Sequence, residues 1–397
     1  MAPAAAGSPA LDFVTKADHD VRVVATQEDF AALRPAWNAL ASQRPDLSVF
    51  ATHEWHDAAW QWQRGTADLH VLVHAPGGRV RAILPLCRRG RDAGGPRREL
   101  AFVAVPDTQC CDVIAAHDDR EAAHAFAAAL AAQRGQWTAM RLAHVPPGGI
   151  ASGALVDAFA ALGFATRVAE APGNPFVALD GRWDDYYASR GRRLKKANNL
   201  AANRLRRAGR VEVEWLTPGD GDEARAAALL AQAIEVSAAS WKAATGTTLD
   251  QPGPGAFVRR LGTLARERGW LSLWSLRLDG VSLATELQLV HGGQVHALRS
   301  DFRVGHEDIS PGSHLNHAIL EGLFGRGYAR YWMGPGHNAY KFRWAEGTQA
   351  LGHVTVYSRT VAGRARAAWE LALKPWARRV RDRVRPGPAA ADEEDAR

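Results

Sequence analysis

Residues 270–302 read WLSLWSLRLDGVSLATELQLVHGGQVHALRSDF. The run Trp270–Leu278 is rich in Leu and Trp and stops at Asp279-Gly280. That dipeptide between apolar runs predicts a tight hairpin, because both central residues of the favoured turn need positive φ. In the strand that follows, Val281, Leu283, Leu287 and Leu289 take one face, and Ser282, Ala284, Glu286 and Gln288 the other. His291-Gly292-Gly293-Gln294 turns the chain again, and a third strand runs over Val295–Phe302, ending near Asp301. Ser310-Pro311-Gly312-Ser313 then opens a helix with Leu315, Ile319, Leu320, Leu323 and Phe324 as its apolar stripe. Gly325 and Gly327 end it. Tyr328–Met333 reads as a short strand, and Gly334-Pro335-Gly336 leads into Tyr340-Lys341.

The rest of the chain repeats this order. A hairpin spans Leu69–Leu86 around Pro76-Gly77-Gly78-Arg79. Strands follow at Leu100–Val105 and Asp112–Ala115, a helix at Glu121–Gln133 and a strand at Thr138–Ala143. An internal duplication is expected. Pro85 sits inside a strand pattern and cannot donate to a ladder, so pairing should stop there. Before this half come a strand at Val21–Val24 and a helix at Glu28–Ser42. After it, Leu155–Leu162 reads as a helix and Phe164–Val168 as a strand, and Pro172-Gly173-Asn174-Pro175 marks the passage between halves. Trp183–Gly209 is the most basic stretch, a helix with one apolar stripe. Its cations, Arg192 and Lys195 among them, suit either a solvated face or recruitment of an anion. Helices are expected at Ala224–Ala239 and Phe257–Arg268, with a loop through Pro252-Gly253-Pro254-Gly255.

At 397 residues the chain is long for one core, and two or three domains are expected. The expected divisions are a disordered 1–20, a first half over 21–173, a second over 174–361, and a basic amphipathic tail helix with a disordered end over 362–397. Three cysteines, two of them adjacent, make no disulfide framework, and no His/Cys spacing suits a zinc site. No metal is expected, and a reducing cytoplasm is the natural compartment. The N-terminal stretch lacks the pattern of a secretory signal. No run of about 18 apolar residues would span a bilayer. The net charge of +7 suits anionic CoA, tRNA, an acidic lipid surface or an acidic polymer without choosing among them. In the tail, Trp369, Leu373 and Trp376 alternate with arginines, which suits peripheral contact with an anionic membrane as well as packing on the domain. The basic helix lacks interleaved aromatics, which argues against single-stranded nucleic acid.

Strand, strand, strand, helix, strand is the core order of a GNAT-type acyltransferase. Asp301-Phe302, Ser310-Pro311-Gly312 with Leu315, Gly327, Gly334-Pro335-Gly336 and Tyr340-Lys341 resemble the Fem-type and CelD-like N-acyltransferases. CelD-like proteins often accompany bacterial exopolysaccharide or cellulose genes. The resemblance covers roughly Phe50 to Val356. It implies an α/β fold of two tandem GNAT-like halves, each a mixed sheet flanked by helices, with the first a degenerate copy that shapes the acceptor side. It implies transfer of an acyl group from acetyl-CoA or another acyl-CoA to an amine, such as an amino sugar of an envelope or exopolysaccharide precursor. Two other readings stay open: an aminoacyl-tRNA-dependent transferase of the Fem type, and a non-catalytic accessory of a polysaccharide synthase.

That chemistry needs a phosphate cradle, a base and an acid. The helix N-terminus at Ser310, Gly312, Ser313 and His314 offers free N–H groups and a positive dipole end for the donor phosphates. It departs from the Arg/Gln-x-x-Gly-x-Gly/Ala loop of typical GNAT enzymes. Glu286 and Asp301 are the base candidates; burial would raise a carboxylate there toward neutrality. The resemblance gives Tyr340 the role of donor to the leaving thiolate, and Lys341 is placed to neutralise charge. Phe50, Thr52 and Trp55 resemble the family's opening segment, where Trp55 either packs in the core or walls the acceptor cleft. Ser240-Trp241-Lys242 recurs in the CelD-like branch, which puts Trp241 and Lys242 on the acceptor side. No Ser-His-Asp motif with a nucleophile elbow is evident, so direct transfer is expected.

Overall fold

The computed structural model describes residues 20–90, 98–116 and 119–374. The first half runs β1 (Val21–Val24), α1 (Gln27–Ala32), α2 (Arg34–Ala41), α3 (His53–Gln63), β2 (Ala67–Leu69), β3 (Val71–His74), β4 (Ala82–Leu84), β5 (Leu86–Arg89), β6 (Glu99–Phe102), β7 (Ile114–Ala115), α4 (Arg120–Ala132), β8 (Ala139–Val145), α5 (Ala154–Ala161) and β9 (Ala165–Ala178). The second runs α6 (Trp183–Ser189), α7 (Arg192–Ala208), β10 (Val211–Leu216), α8 (Glu223–Ala238), α9 (Pro252–Glu267), β11 (Leu271–Leu278), β12 (Val281–His291), β13 (Gln294–Phe302), α10 (Pro311–Leu323), β14 (Arg330–Trp332), α11 (Ala339–Trp344), β15 (Gly347–Tyr357) and α12 (Val361–Ala368).

The hairpins form where turn chemistry places them. Asp279 and Gly280 both adopt positive φ, 49° and 82°, and β11 pairs antiparallel with β12 on either side. Both faces of β12 are buried, because α8 and α10 pack against it. The order β11-β12-β13, then α10, then β14 parallel to β13 is the expected core. In the first half, β3-β4-β7 precede α4, capped by Asp119, but the duplication is incomplete: β8, after α4, pairs parallel with β6 in the other sheet rather than with β7. Pro85 marks a change of sheet: β4 belongs to a four-stranded sheet and β5 to an eleven-stranded one. The fold is α/β, with mixed sheets flanked by helices.

Several boundaries differ from expectation. Pro172–Pro175 is no turn; it lies inside β9, and the 173/174 division falls within that strand. The two prolines are tolerated where β9 and β15 slip register between Gln349 and Leu351. Sequence patterning left β15 unmarked, yet it joins the halves by pairing with β9 on one side and β8 on the other. Trp183–Gly209 is two helices, broken at Arg190-Gly191. Glu28–Ser42 also breaks, at Leu33, because Pro35 has no N–H to carry the ladder on and sits instead in the first turn of α2. Pro252–Gly255 is the first turn of α9 rather than a loop; Gly253 there lies against Trp62. The tail is helical through α12 and a π-turn at Trp369–Leu373. Its remainder from Pro375, and the expected disorder of residues 1–19, lie outside the described residues.

Each half has an apolar core, and a third cluster spans both, joining Trp37, Trp55 and Leu69 to Phe257, Leu261 and Leu273. Trp55 is fully buried, edge-on to Phe50 at 4.7 Å and Phe257 at 5.5 Å. It is a core residue and not a cleft wall. Beside it, α3 packs on α9, and Glu54 and Asp57 pair with Arg268 and Arg260 across the halves. All three cysteines are free and buried, and burial pushes each thiol up, away from reactivity.

Candidate active site

β13 is held by β14 over only three residues, Gln294 to His296. Beyond His296 the strands part. At the same place β13 carries a bulge: Leu287 pairs with Arg299 and Gln288 with Ala297, leaving Leu298 as the extra residue. Bulges bend a strand and re-aim its side chains, and they concentrate beside active sites. Both the bulge and the parting face the segment of β13 that ends at Asp301.

Glu286 lies on β12 opposite Ser300 and is almost completely buried. It accepts from Gln288 Nε2 at 2.7 Å, Ser300 Oγ at 2.5 Å and Tyr331 Oη at 2.7 Å. Burial raises its carboxyl above the usual range, against the pull of those three donors and of Lys341. A carboxylate with raised affinity for a proton, held by two hydroxyls, suits proton acceptance near neutrality.

Four more of the expected residues gather around it, linked through Tyr340 and Lys341. Asp301, also buried, has Lys242 Nζ 2.5 Å from its Oδ1. Lys242 comes from a short 3₁₀ turn at Trp241–Thr245, whose Trp241 is 56% exposed at the rim. Lys341, on α11, donates to the Gly334 carbonyl at 2.8 Å. Burial lowers its ammonium to about 8, opposed by Glu286 and Asp107. Tyr340 keeps 42% of its surface exposed, but its hydroxyl end is enclosed. Burial there, with Glu286 and Asp301 nearby, pushes the phenol well up, so it stays protonated. The structure therefore brings together Glu286, Asp301, Lys242, Tyr340 and Lys341 from four separate elements.

The donor side is α10. β13 ends at Phe302, and Phe302 packs on Gly312, where an added Cβ would lie 3.3 Å from the ring. The helix N-terminus thus sits at the Asp301 end of β13. Ser310 is not an ordinary cap: it adopts φ 53°, and its hydroxyl donates to the Glu307 carbonyl at 3.2 Å, not to the helix. Pro311 has no N–H, the first turn carries no acid, and no side chain caps it. The N–H groups of Gly312 and Ser313 therefore remain open to an anion, with the helix dipole behind them. His314 is held low, toward the neutral form, by burial and then by His317 and Arg206. These groups suit an anion such as a phosphate.

The site also contains residues that sequence patterning missed, all near the seam between halves. Gln109 donates from Nε2 to the Ala297 carbonyl at 2.7 Å, on the edge of β13 that β14 has left. Its Oε1 must then be an acceptor, so His296 Nδ1, at 3.1 Å, carries the proton. His296 Nε2 is left to accept from Ser48 Oγ at 2.8 Å. Burial drives the imidazole down to about 3, which keeps it neutral. Ser48 holds φ 51°, a strained value for a serine. Asp107 and Arg299, 3.4 Å apart, add a further cross-half ion pair. No local pattern marks these residues, because each acts through a partner more than 180 positions away in sequence, in the other half.

Arg192 and Lys195 do not join this cluster. Arg192 is exposed at the start of α7, and Lys195 donates to the Ala188 carbonyl at 2.6 Å. α7 packs on α10 through Leu194, Ala201 and Leu205. A cleft of about 500 Å³ lies elsewhere, between the end of α4 and the start of α12. None of the residues above lines it.

Residues 192–342 match the acetyltransferase (GNAT) domain family. That span holds α7 through Phe342 and contains every residue of the cluster except those from the first half. The chain is similar in fold to the C-terminal domain of a putative lysylphosphatidylglycerol synthetase from Agrobacterium fabrum, at 13% identity and TM-score 0.51, over 85% of this chain and 94% of that one. It is similar to FemX at 13% identity and TM-score 0.52, over 79% and 93%. It is also similar to L-PGS from Bacillus licheniformis at 12% identity and TM-score 0.50, over 85% and 97%. No curated protein matches. The family match lies in the second half, within an α/β fold of mixed sheets flanked by helices. Among the described residues, no group of side chains is arranged to hold a metal ion, and no helix is long and apolar enough to cross a membrane.

Proposed function

We propose that this protein is an N-acyltransferase that moves an acyl group from acyl-CoA directly to an amine. The observation that carries the reading is the convergence of Glu286, Asp301, Lys242, Tyr340 and Lys341 where β13 and β14 part, beside the uncapped start of α10. The donor supplies a thioester already activated for attack. Gly312 and Ser313 N–H groups hold its phosphates. Glu286 takes the proton of the acceptor amine through the hydroxyls of Ser300 and Tyr331 that touch it. Tyr340, protonated across the physiological range, donates to the departing thiolate. Lys341, near 8, offsets charge between Glu286 and Asp107.

The acceptor proposed is a small amine or an amino sugar of an envelope or exopolysaccharide precursor, in keeping with the CelD-like resemblance. The likeness to FemX is one of fold, and no residue of the cluster favours an aminoacyl-tRNA donor over acyl-CoA. Peripheral membrane contact through the tail is part of the proposal, supported by the exposure of Trp369 and Leu373. The test is twofold: acetyl-CoA should raise the melting temperature, and amines should stimulate release of free thiol from it. Absence of both contradicts the reading.

A further inference from the structure

Two ion pairs lie side by side at the end of β13. Lys242–Asp301 belongs to the second half alone. Asp107–Arg299 spans the halves, with side chains only 8% and 7% exposed. Neither of its partners is satisfied. Asp107 Oδ2 and Arg299 Nε are buried without a hydrogen-bond partner. Arg299 commits Nη2 to the Thr247 carbonyl and Nη1 to Asp107 Oδ1. On the same seam, Asn174 donates to Gln109 Oε1 at 3.2 Å and leaves its own Oδ1 buried and unpartnered.

A buried polar atom without a partner is costly, and native folds carry few of them. Here two acceptors and one donor collect around one reaction centre. Asp107 lies within the field of Arg299, Lys242 and Asp301, and Lys341 feels both Glu286 and Asp107. Burial raises the Asp107 carboxyl in spite of its cationic neighbours, as expected of a group whose partner set is incomplete.

We propose that Asp107 and Arg299, supported by Asn174, form the recognition subsite for the acceptor, which is an amine carrying an oxygen close to its nitrogen. This rests on the acyl-transfer reading above. The unpartnered oxygens need a donor from the ligand, and the Arg299 Nε–H needs an acceptor. A simple alkylamine offers only the first. An amino alcohol, an amino sugar and an amino acid each offer both. The first half is then a working part of the site, since it contributes the carboxylate.

The experiment uses the full chain, acetyl-CoA, and four amines: propylamine, 2-aminoethanol, glucosamine and glycine amide. Wild type should favour the oxygen-bearing amines over propylamine by about tenfold or more in kcat/KM. The ranking of glucosamine against glycine amide separates sugar from amino-acid acceptors. Asp107→Asn and Arg299→Lys should each erase the preference, chiefly through KM, with the acetyl-CoA thermal shift unchanged. Equal selectivity in wild type and both variants, or no preference in wild type, overturns the subsite. Loss of the acetyl-CoA shift in wild type itself overturns the acyl-transfer reading instead.

Discussion

Lys242 Nζ stands 2.5 Å from Asp301 Oδ1, and Asp301 is the more deeply buried of the two. The contact is an ion pair by distance, without the alignment of a good hydrogen bond. It ties the 3₁₀ turn bearing Trp241 to the end of β13. Removing one partner of a buried pair leaves a charge uncompensated, at a cost of about 3–5 kcal/mol. Lys242→Met should therefore destabilise strongly, and Asp301→Asn added to it should recover part of the loss. A double-mutant cycle by urea denaturation measures this; coupling of about 1–3 kcal/mol is expected, and simple additivity speaks against the pair.

Glu286 should leave a signature in the pH dependence of stability. Its carboxyl is raised in the fold relative to about 4.3 in the unfolded chain. Between those two values the folded protein binds more protons, so stability falls as pH rises. Glu286→Gln removes that component. Its stability should decline less than that of wild type between about pH 4 and the raised value, read from denaturation midpoints across the range. Parallel curves would show an unshifted carboxyl.

Lys341 predicts the opposite slope at the alkaline end. Burial holds it at about 8 in the fold, against about 10.4 unfolded. Through that window the unfolded chain binds more protons, and stability rises with pH. Lys341→Met should flatten this rise. An unchanged alkaline slope would place the ammonium in water.

The donor cradle calls for a variant that spares the core. Gly312 lies against Phe302, so a side chain there would disturb packing as well as charge. Ser313 is exposed on the same turn. Ser313→Asp should keep the fold and abolish the acetyl-CoA thermal shift, because a carboxylate would face the phosphates. A retained shift would put the donor elsewhere.

Glu286, Asp301, Tyr340 and Lys341 were legible because strand patterning and turn signals located β12, β13 and the Gly-Pro-Gly corner before them. Lys242 was singled out through the resemblance of Ser240-Trp241-Lys242, and the structure sets it beside Asp301. Asp107, Gln109, Ser48 and Asn174 were not, since their meaning comes from pairing between halves across β9 and β15. Asn174 was hidden more directly: Pro172-Gly173-Asn174-Pro175 has the letters of a turn, but the pairing of β9 with β15 overrides them. Trp55 shows the converse, a motif residue that the fold uses for packing.

The most direct measurement compares wild type and Glu286→Gln in two assays at once: acetyl-CoA affinity by calorimetry, and the rate of acyl transfer to an amine across pH. The account predicts equal affinity, a rate lower by about 10²–10⁴-fold in the variant, and partial recovery at high pH where free amine forms unaided. A wild-type rate in Glu286→Gln, or failure of the wild-type protein to bind acetyl-CoA, would contradict it.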